Sequence, residues 1–317
     1  MRAFPTLPPL GDHGRTWVRR FGVGRDGLWK ILTCFATQPG HGYNRPAFLF
    51  IDEEMPEPSP GMSAQGTAER QKFELEVRRV VQAADQARLT LRLLGSLAFQ
   101  VHCPQFGHLQ AEMGRAYTDI DFAGYGRQAK GVSSMLTGLG YREDREVFVV
   151  TEGGRAIFEN AQNRLHLDVF YEKLDFCHVI PWNGRLEVDS PTLPLAELLL
   201  EKMQIVRINE KDVIDTILLL LEHDLGEADL ETVNLVRVAS LCAADWGLWR
   251  TVTMNLDKVR QLAAGYPQLT EIQVSRVAQQ VRAILDRIQA EPKPVAWRLR
   301  ARVGDRVKWY KDVEEVQ

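Results

Sequence analysis

The chain has 317 residues, 45% hydrophobic and 26% charged, which supplies apolar material for a sizeable core and excludes wholesale disorder. Its 42 acidic and 39 basic side chains leave a formal net charge of -3, so a generally basic protein that coats nucleic acid is excluded, while local basic patches are not. The longest apolar runs fall far short of the roughly 20 residues that span a bilayer. No early segment reads as a signal peptide, and the scattered Cys34, Cys103, Cys177 and Cys242 suit reduced thiols, so a cytoplasmic protein with no membrane partner is expected.

Residues 1–65 are punctured by Pro5, Pro8, Pro9, Pro39, Pro46, Pro56, Pro58 and Pro60. Proline fixes φ and removes a donor, so loops or a loosely ordered extension are expected there, with 47-AFLFI-51 the one plausible strand. The run 21-FGVGRDG-27 lacks the preceding strand and the spacing of a phosphate loop. A helix is predicted over 68–87, with Phe73, Leu75, Val77, Val80, Val81 and Ala84 near one face. A strand over 89–96 stops at Gly95-Ser96, and a short helix, 97-LAFQVH-102, follows. The next strand, 116-AYTDIDFAG-124, alternates Ala116, Thr118, Ile120 and Phe122 with Tyr117, Asp119 and Asp121. A helix over 127–140 closes at Gly140, and strands are predicted over 147–151, 155–160 and 165–171. Beyond Pro194 the pattern turns helical, over 195–208, 210–223, 229–243, 246–264 and 272–289. The expected class is α+β: an extension over 1–65, a small mixed β-sheet core with flanking helices over 66–190, and a C-terminal helical bundle over 191–317.

The acidic residues carry the chemistry. Asp119 and Asp121 stand at i and i+2 of a strand, so both carboxylates share a face within reach of one cation. Like charges that close repel, and a hard divalent metal resolves the repulsion; two solvated acids on an exposed face are the plain alternative. Gly95-Ser96 opens a helix, where backbone N–H groups make an anion site and glycine allows close approach of a phosphate. Asp168 sits among the apolar Leu165, Leu167 and Val169, where a lone acid is costly unless paired or bound to metal. Three carboxylates beside a phosphate cradle suit metal-assisted nucleotidyl transfer, with Asp168 placed to take the acceptor's proton or to position a second metal.

Gly95-Ser96, then Asp119-x-Asp121, then Asp168 resemble the pattern of the polymerase-beta-like nucleotidyltransferase superfamily. The continuation 194-PLAELLLEKMQIVRINEKDVIDTILLL-220 resembles the AbiEii-type, toxin-like group, with a Lys on one helix (Lys202) and an Asp-x-x-Asp on the next (Asp212 and Asp215). The resemblance covers residues 68 to about 225 and says nothing of 1–65. It implies an Mg2+- or Mn2+-dependent enzyme that binds a nucleoside triphosphate such as ATP and transfers its nucleotide to an RNA or protein acceptor. It also implies an antitoxin protein as partner, if the chain is a toxin. The resemblance gives Lys202 a role in holding the triphosphate, and Arg115, just before the acidic strand, matches a basic residue often found there. A Lys202 that only snorkels from an apolar face and an Arg115 that merely sits on the surface are the alternatives. Asp212 and Asp215 either serve the site at second hand, pairing with Lys202 or Arg207, or complement a helix dipole. The chain departs from the family in the 22 residues between Ser96 and Asp119, wider than the usual gap.

His102-Cys103 and Cys177-His178 are two pairs of zinc-ligand types, but neither has the spacer of ordinary zinc motifs, and buried thiols with ordinary histidines are the simpler reading. The tail, 292-PKPVAWRLRARVGDRVKWYK-311, interleaves Arg298, Arg300, Arg302 and Arg306 with Trp297, Trp309 and Tyr310. Arginines beside aromatics can grip a phosphate backbone and stack on bases, so these residues, Trp309 included, are the candidate acceptor contacts; a solvated basic helix end explains them equally. Two other functions stay open: a nucleotide-binding or protein-interaction module that has lost turnover, and a metal-dependent glycosyltransferase. The latter predicts a glycine fingerprint and a second α/β domain, neither of which the sequence contains.

Overall fold

A computed structural model describes the backbone of residues 16–20, 31–35 and 64–313, with side chains over 68–313. The chain divides into two compact units, Met1–Met55 and Pro56–Gln317. In the first, β1 (Thr16–Arg20) and β2 (Ile31–Phe35) pair antiparallel, Thr16 opposite Phe35 and Arg20 opposite Ile31. This hairpin replaces part of the expected loops. Both stretches are free of proline and rich in strand formers such as Val18, Ile31 and Thr33. The segments 21–27 and 47–51 lie outside the described residues.

The second unit opens with α1 (Ala64–Gln86), which buries Phe73, Val77, Val80, Val81 and Ala84. Leu75, expected on that face, is 63% exposed, because two helical steps carry it about 200° round from Phe73. There follow β3 (Leu91–Leu94), α2 (Gly95–His102), α3 (His108–Glu112), β4 (Ile120–Gly124), α4 (Ala129–Gly138), β5 (Arg142–Asp144), α5 (Arg145–Val150), β6 (Arg155–Asn160) and β7 (Leu165–Tyr171). The sheet order is β3-β4-β7-β6-β5, with β4 and β7 parallel and the other neighbours antiparallel. One register row runs Leu94, Asp121, Asp168, Ile157, Asp144 across all five strands.

Two expected strands differ. Residues 116–119 are not part of β4, because β3 turns away at Gly95 after pairing Leu94 with Asp121, which leaves the preceding segment without a neighbour on that side. Residues 147–150 belong to helix α5 rather than a strand. The Asp144 side chain accepts the N–H groups of Glu146 (3.0 Å) and Val147 (3.4 Å), and this cap overrides the β-branched composition.

A short antiparallel pair, β8 (Lys173–Asp175) and β9 (Val179–Pro181), leads to α6 (Leu195–Met203) and α7 (Glu210–Glu222). Every residue of α6 is buried. This helix ends earlier than its periodicity suggests, since Asn255 Nδ2 donates to the carbonyls of Met203 (3.0 Å) and Ile205 (2.7 Å) just where the chain unwinds. Then come β10 (Asp224–Gly226) and β11 (Thr232–Asn234), paired parallel, and α8 (Leu235–Ala244), α9 (Trp246–Ala263), α10 (Glu271–Ala290) and α11 (Val295–Val303). Asn209, Asn234, Asp245 and Thr270 cap four of these helices, Thr270 in a capping box with Gln273. The architecture is α+β, a small mixed sheet with flanking helices followed by C-terminal helices, and one continuous apolar cluster runs from α1 and the sheet into α10. Among the described residues no helix is long and apolar enough to cross a membrane.

Candidate active site

The carboxylates of Asp121 and Asp168 start from directly paired positions of parallel neighbours, so they leave the sheet on one face with backbones about 5 Å apart. Asp121 keeps some exposed surface and Asp168 is 8% exposed. Burial first, then the charges of Asp119 and Asp168, hold the Asp121 carboxyl well above the usual range. Asp168 is raised by burial as well, although Arg155 opposes the shift. The Arg155 guanidinium grips Asp168 Oδ2 with both Nε (3.2 Å) and Nη2. Asp119 lies one residue before β4, exposed, and accepts the Thr118 hydroxyl at 2.9 Å. It shares with Asp168 the lining of an open groove of about 810 Å³ that also includes Arg142, Arg145, Ile157 and Glu159.

Gly95 is the hinge between the sheet and α2. Its φ of +69° is left-handed, and a Cβ there would overlap Asp121 Oδ2 and stand 3.3 Å from Asp121 Cγ, so only glycine fits beside that carboxylate. The Gly95 N–H does not face open solvent: it donates to Glu201 Oε1 at 3.0 Å. Ser96 is 4% exposed. The first N–H of the expected phosphate cradle is thus held by an internal carboxylate.

Glu201 joins this bend to a buried charge cluster. Lys202 Nζ lies 3.1 Å from Asp212 Oδ1, 3.2 Å from Asp215 Oδ2 and 3.9 Å from Glu201 Oε1. Burial works against its charge, but Asp215 and then Asp212 outweigh that and keep the ammonium protonated. Asp215, fully buried, also accepts Gln110 Nε2 at 2.9 Å and Arg115 Nη2 at 3.3 Å. Gln110 reaches on to the Ser96 carbonyl at 3.4 Å. The structure therefore gathers Gly95, Ser96, Arg115, Lys202, Asp212 and Asp215 into one hydrogen-bonded ensemble behind Asp121, with Lys202 and Arg115 each facing carboxylates.

Glu201 and Arg155 were not singled out by sequence reasoning. The signal for Glu201 is an acid within a leucine-rich helical run; for Arg155, a cation at the head of a strand.

The tail residues lie apart from this ensemble in their bonding. Trp309 donates its indole N–H to Thr251 Oγ1 (3.1 Å) and meets Trp246 edge-on at 6.3 Å. Arg300 sits 4.3 Å over the Trp246 ring and donates to the carbonyls of Gly304 and Val307 at 2.8 Å each. Arg298, Arg302 and Arg306 are exposed and form no ion pair among the described residues. The two His/Cys pairs are engaged separately: His102 Nε2 lies 2.5 Å from Thr192 Oγ1, and His178 Nε2 lies 2.8 Å from Thr251 Oγ1. Cys103, Cys177 and Cys242 are free and buried. No protein-family model matches the chain, and no curated protein is significantly similar to it.

Proposed function

We propose that the protein is a metal-dependent nucleotidyltransferase, moving a nucleoside monophosphate from a nucleoside triphosphate to a hydroxyl of an RNA or protein acceptor, as the AbiEii-type group it resembles does. The observation that carries this reading is the register pairing of Asp121 with Asp168 on parallel strands, beside a glycine whose absent side chain makes room for Asp121. A partner antitoxin belongs to the same proposal and rests on the resemblance alone.

The donor chemistry fits a divalent cation. Asp119, Asp121 and Asp168 offer only hard oxygen donors, and Asp121 feels repulsion from the other two that Lys202 offsets only in part. Among the described residues no group of three or more His, Cys, Asp or Glu side chains is arranged to hold a metal ion, and Arg155 supplies the positive charge at Asp168. Asp119 and Asp121 would hold Mg2+ or Mn2+, with Asp168 completing the set when Arg155 releases it. Such an ion, when bound, would screen the phosphates and acidify the attacking hydroxyl. Asp168 would accept that hydroxyl's proton, and Glu201 fixes the bend that aims Asp121.

A second reading, a nucleotide-binding or interaction module without turnover, is favoured by the two internal pairings, Arg155 on Asp168 and Glu201 on the Gly95 N–H. Incubation with α-phosphate-labelled triphosphates, Mg2+ or Mn2+, total RNA and protein separates the two. Turnover by the wild type, reduced at least about 100-fold in Asp121→Asn, supports the transferase. Triphosphate binding without transfer, unchanged by Asp168→Ala, supports the silent module.

A further inference from the structure

Resting on the transferase reading, the geometry points to a polypeptide as the acceptor, received in the groove over β5, β6 and β7 with a Ser, Thr or Tyr hydroxyl delivered to Asp168. On the β3 side, Asp121 is backed by buried Gly95 and Ser96 and by Glu201 and Lys202 of α6, none of which leaves a path for a macromolecule. The open approach runs over the other half of the sheet. There, Asp119 and Asp168 border the groove, and the ladder beyond them is floored by Ile157 and Glu159 and rimmed by Arg142, Arg145 and Val147.

The charge of the groove selects the class of acceptor. Five carboxylates line it against three guanidinium groups, and setting aside the Arg155–Asp168 pair leaves four against two. Metal ions that arrive with a triphosphate are offset by its phosphates, so the resident balance remains acidic. A nucleic-acid backbone needs cations along its path, and an acidic trough repels it. A polypeptide does not have that requirement. Its acidic side chains can meet Arg142, whose side chain is 88% exposed and whose nearest acid, Glu159, is 4.0 Å away, or Arg145; its basic ones can meet Glu159; its apolar ones can meet Val147 and Ile157. In the tail, the Trp297 and Trp309 indole N–H groups donate inward, to the Cys242 carbonyl and to Thr251 Oγ1, and both rings are half-buried. In the reaction the acceptor oxygen bonds to the α-phosphorus, the bond from that phosphorus to the bridging oxygen breaks, and pyrophosphate leaves with the electron pair. The hydroxyl proton passes to Asp168, and the product is a nucleotide joined to the side chain by a phosphodiester.

The test offers the full chain two serine peptides, one flanked by Asp and Glu and one by Lys and Arg, together with total RNA, Mg2+ or Mn2+ and α-phosphate-labelled ATP, GTP, CTP and UTP. Label on peptide and not on RNA is expected. Arg142→Glu, at an exposed position outside the catalytic set, is expected to shift the ratio of the two labelled peptides about tenfold toward the basic one. Label on RNA with both peptides blank overturns the polypeptide assignment and leaves the transferase standing. Peptides labelled in the same ratio by wild type and Arg142→Glu overturn the groove. No label on any acceptor overturns both the assignment and the transferase reading.

Discussion

Glu201 offers Oε1 to the backbone N–H of Gly95 and keeps Oε2 buried without a hydrogen-bond partner. Burial pushes this carboxyl up to about 8, against the lowering influence of Lys202 and of the Gly95 N–H. The folded protein thus holds the proton over a range where the unfolded chain, with an ordinary glutamate, has lost it. Stability from this group is fully present below the unfolded value of about 4.5 and is lost as pH rises toward 8. Glu201→Gln keeps an acceptor for Gly95 and removes the titration. Urea midpoints measured from pH 4.5 to 8.5 are therefore expected to fall for the wild type relative to Glu201→Gln; parallel curves would refute the assignment. Gly95 itself was legible, since glycine before serine at a strand end implies a bend. Its partner was not, because 106 residues of chain separate Glu201 from it and no local pattern encodes that contact. The same holds for Arg155, which reads as an ordinary strand residue until β7 is laid beside β6.

Between α6 and α7, Lys202 of α6 is the cation that meets both Asp212 and the fully buried Asp215, one turn apart on α7. Removing a buried ionic partner leaves the others uncompensated, so Lys202→Met is expected to cost roughly 3–5 kcal/mol in urea unfolding. Asp212→Asn, at the more accessible end of the cluster, is expected to cost less. A Lys202→Met protein as stable as the wild type would show that the cluster does not hold these helices together. Periodicity revealed most elements at this scale, since α1, α7, α9 and α10 each carry a regular apolar stripe. It misread α5, where Phe148 and three valines favour a strand but a single Asp144 cap starts a helix. It also extended β4 backward to residue 116, because alternation alone does not reveal where the neighbouring strand stops.

Across Pro56–Gln317, the sheet and the C-terminal helices share one apolar cluster, and Glu197 of α6, fully buried, ties Arg185 (2.7 Å) and Arg237 (2.9 Å) across the two parts. Contacts so interwoven predict joint unfolding of both parts: tryptophan fluorescence and far-ultraviolet circular dichroism should give coincident urea transitions, and separated midpoints would mean that the parts unfold independently. The α+β class was legible from the switch of hydrophobic period after Pro194. The strand order was not, since the β4–β7 pairing that brings Asp121 to Asp168 is non-local and depends on packing. That pairing is also what the functional account depends on. Its most direct test is a titration of Mn2+ in the presence of a non-hydrolysable triphosphate, followed by electron paramagnetic resonance, in wild type and Asp121→Asn. The account predicts a bound Mn2+ in the wild type and an affinity at least about tenfold weaker in Asp121→Asn. Equal binding by the two proteins, or none by either, would contradict it.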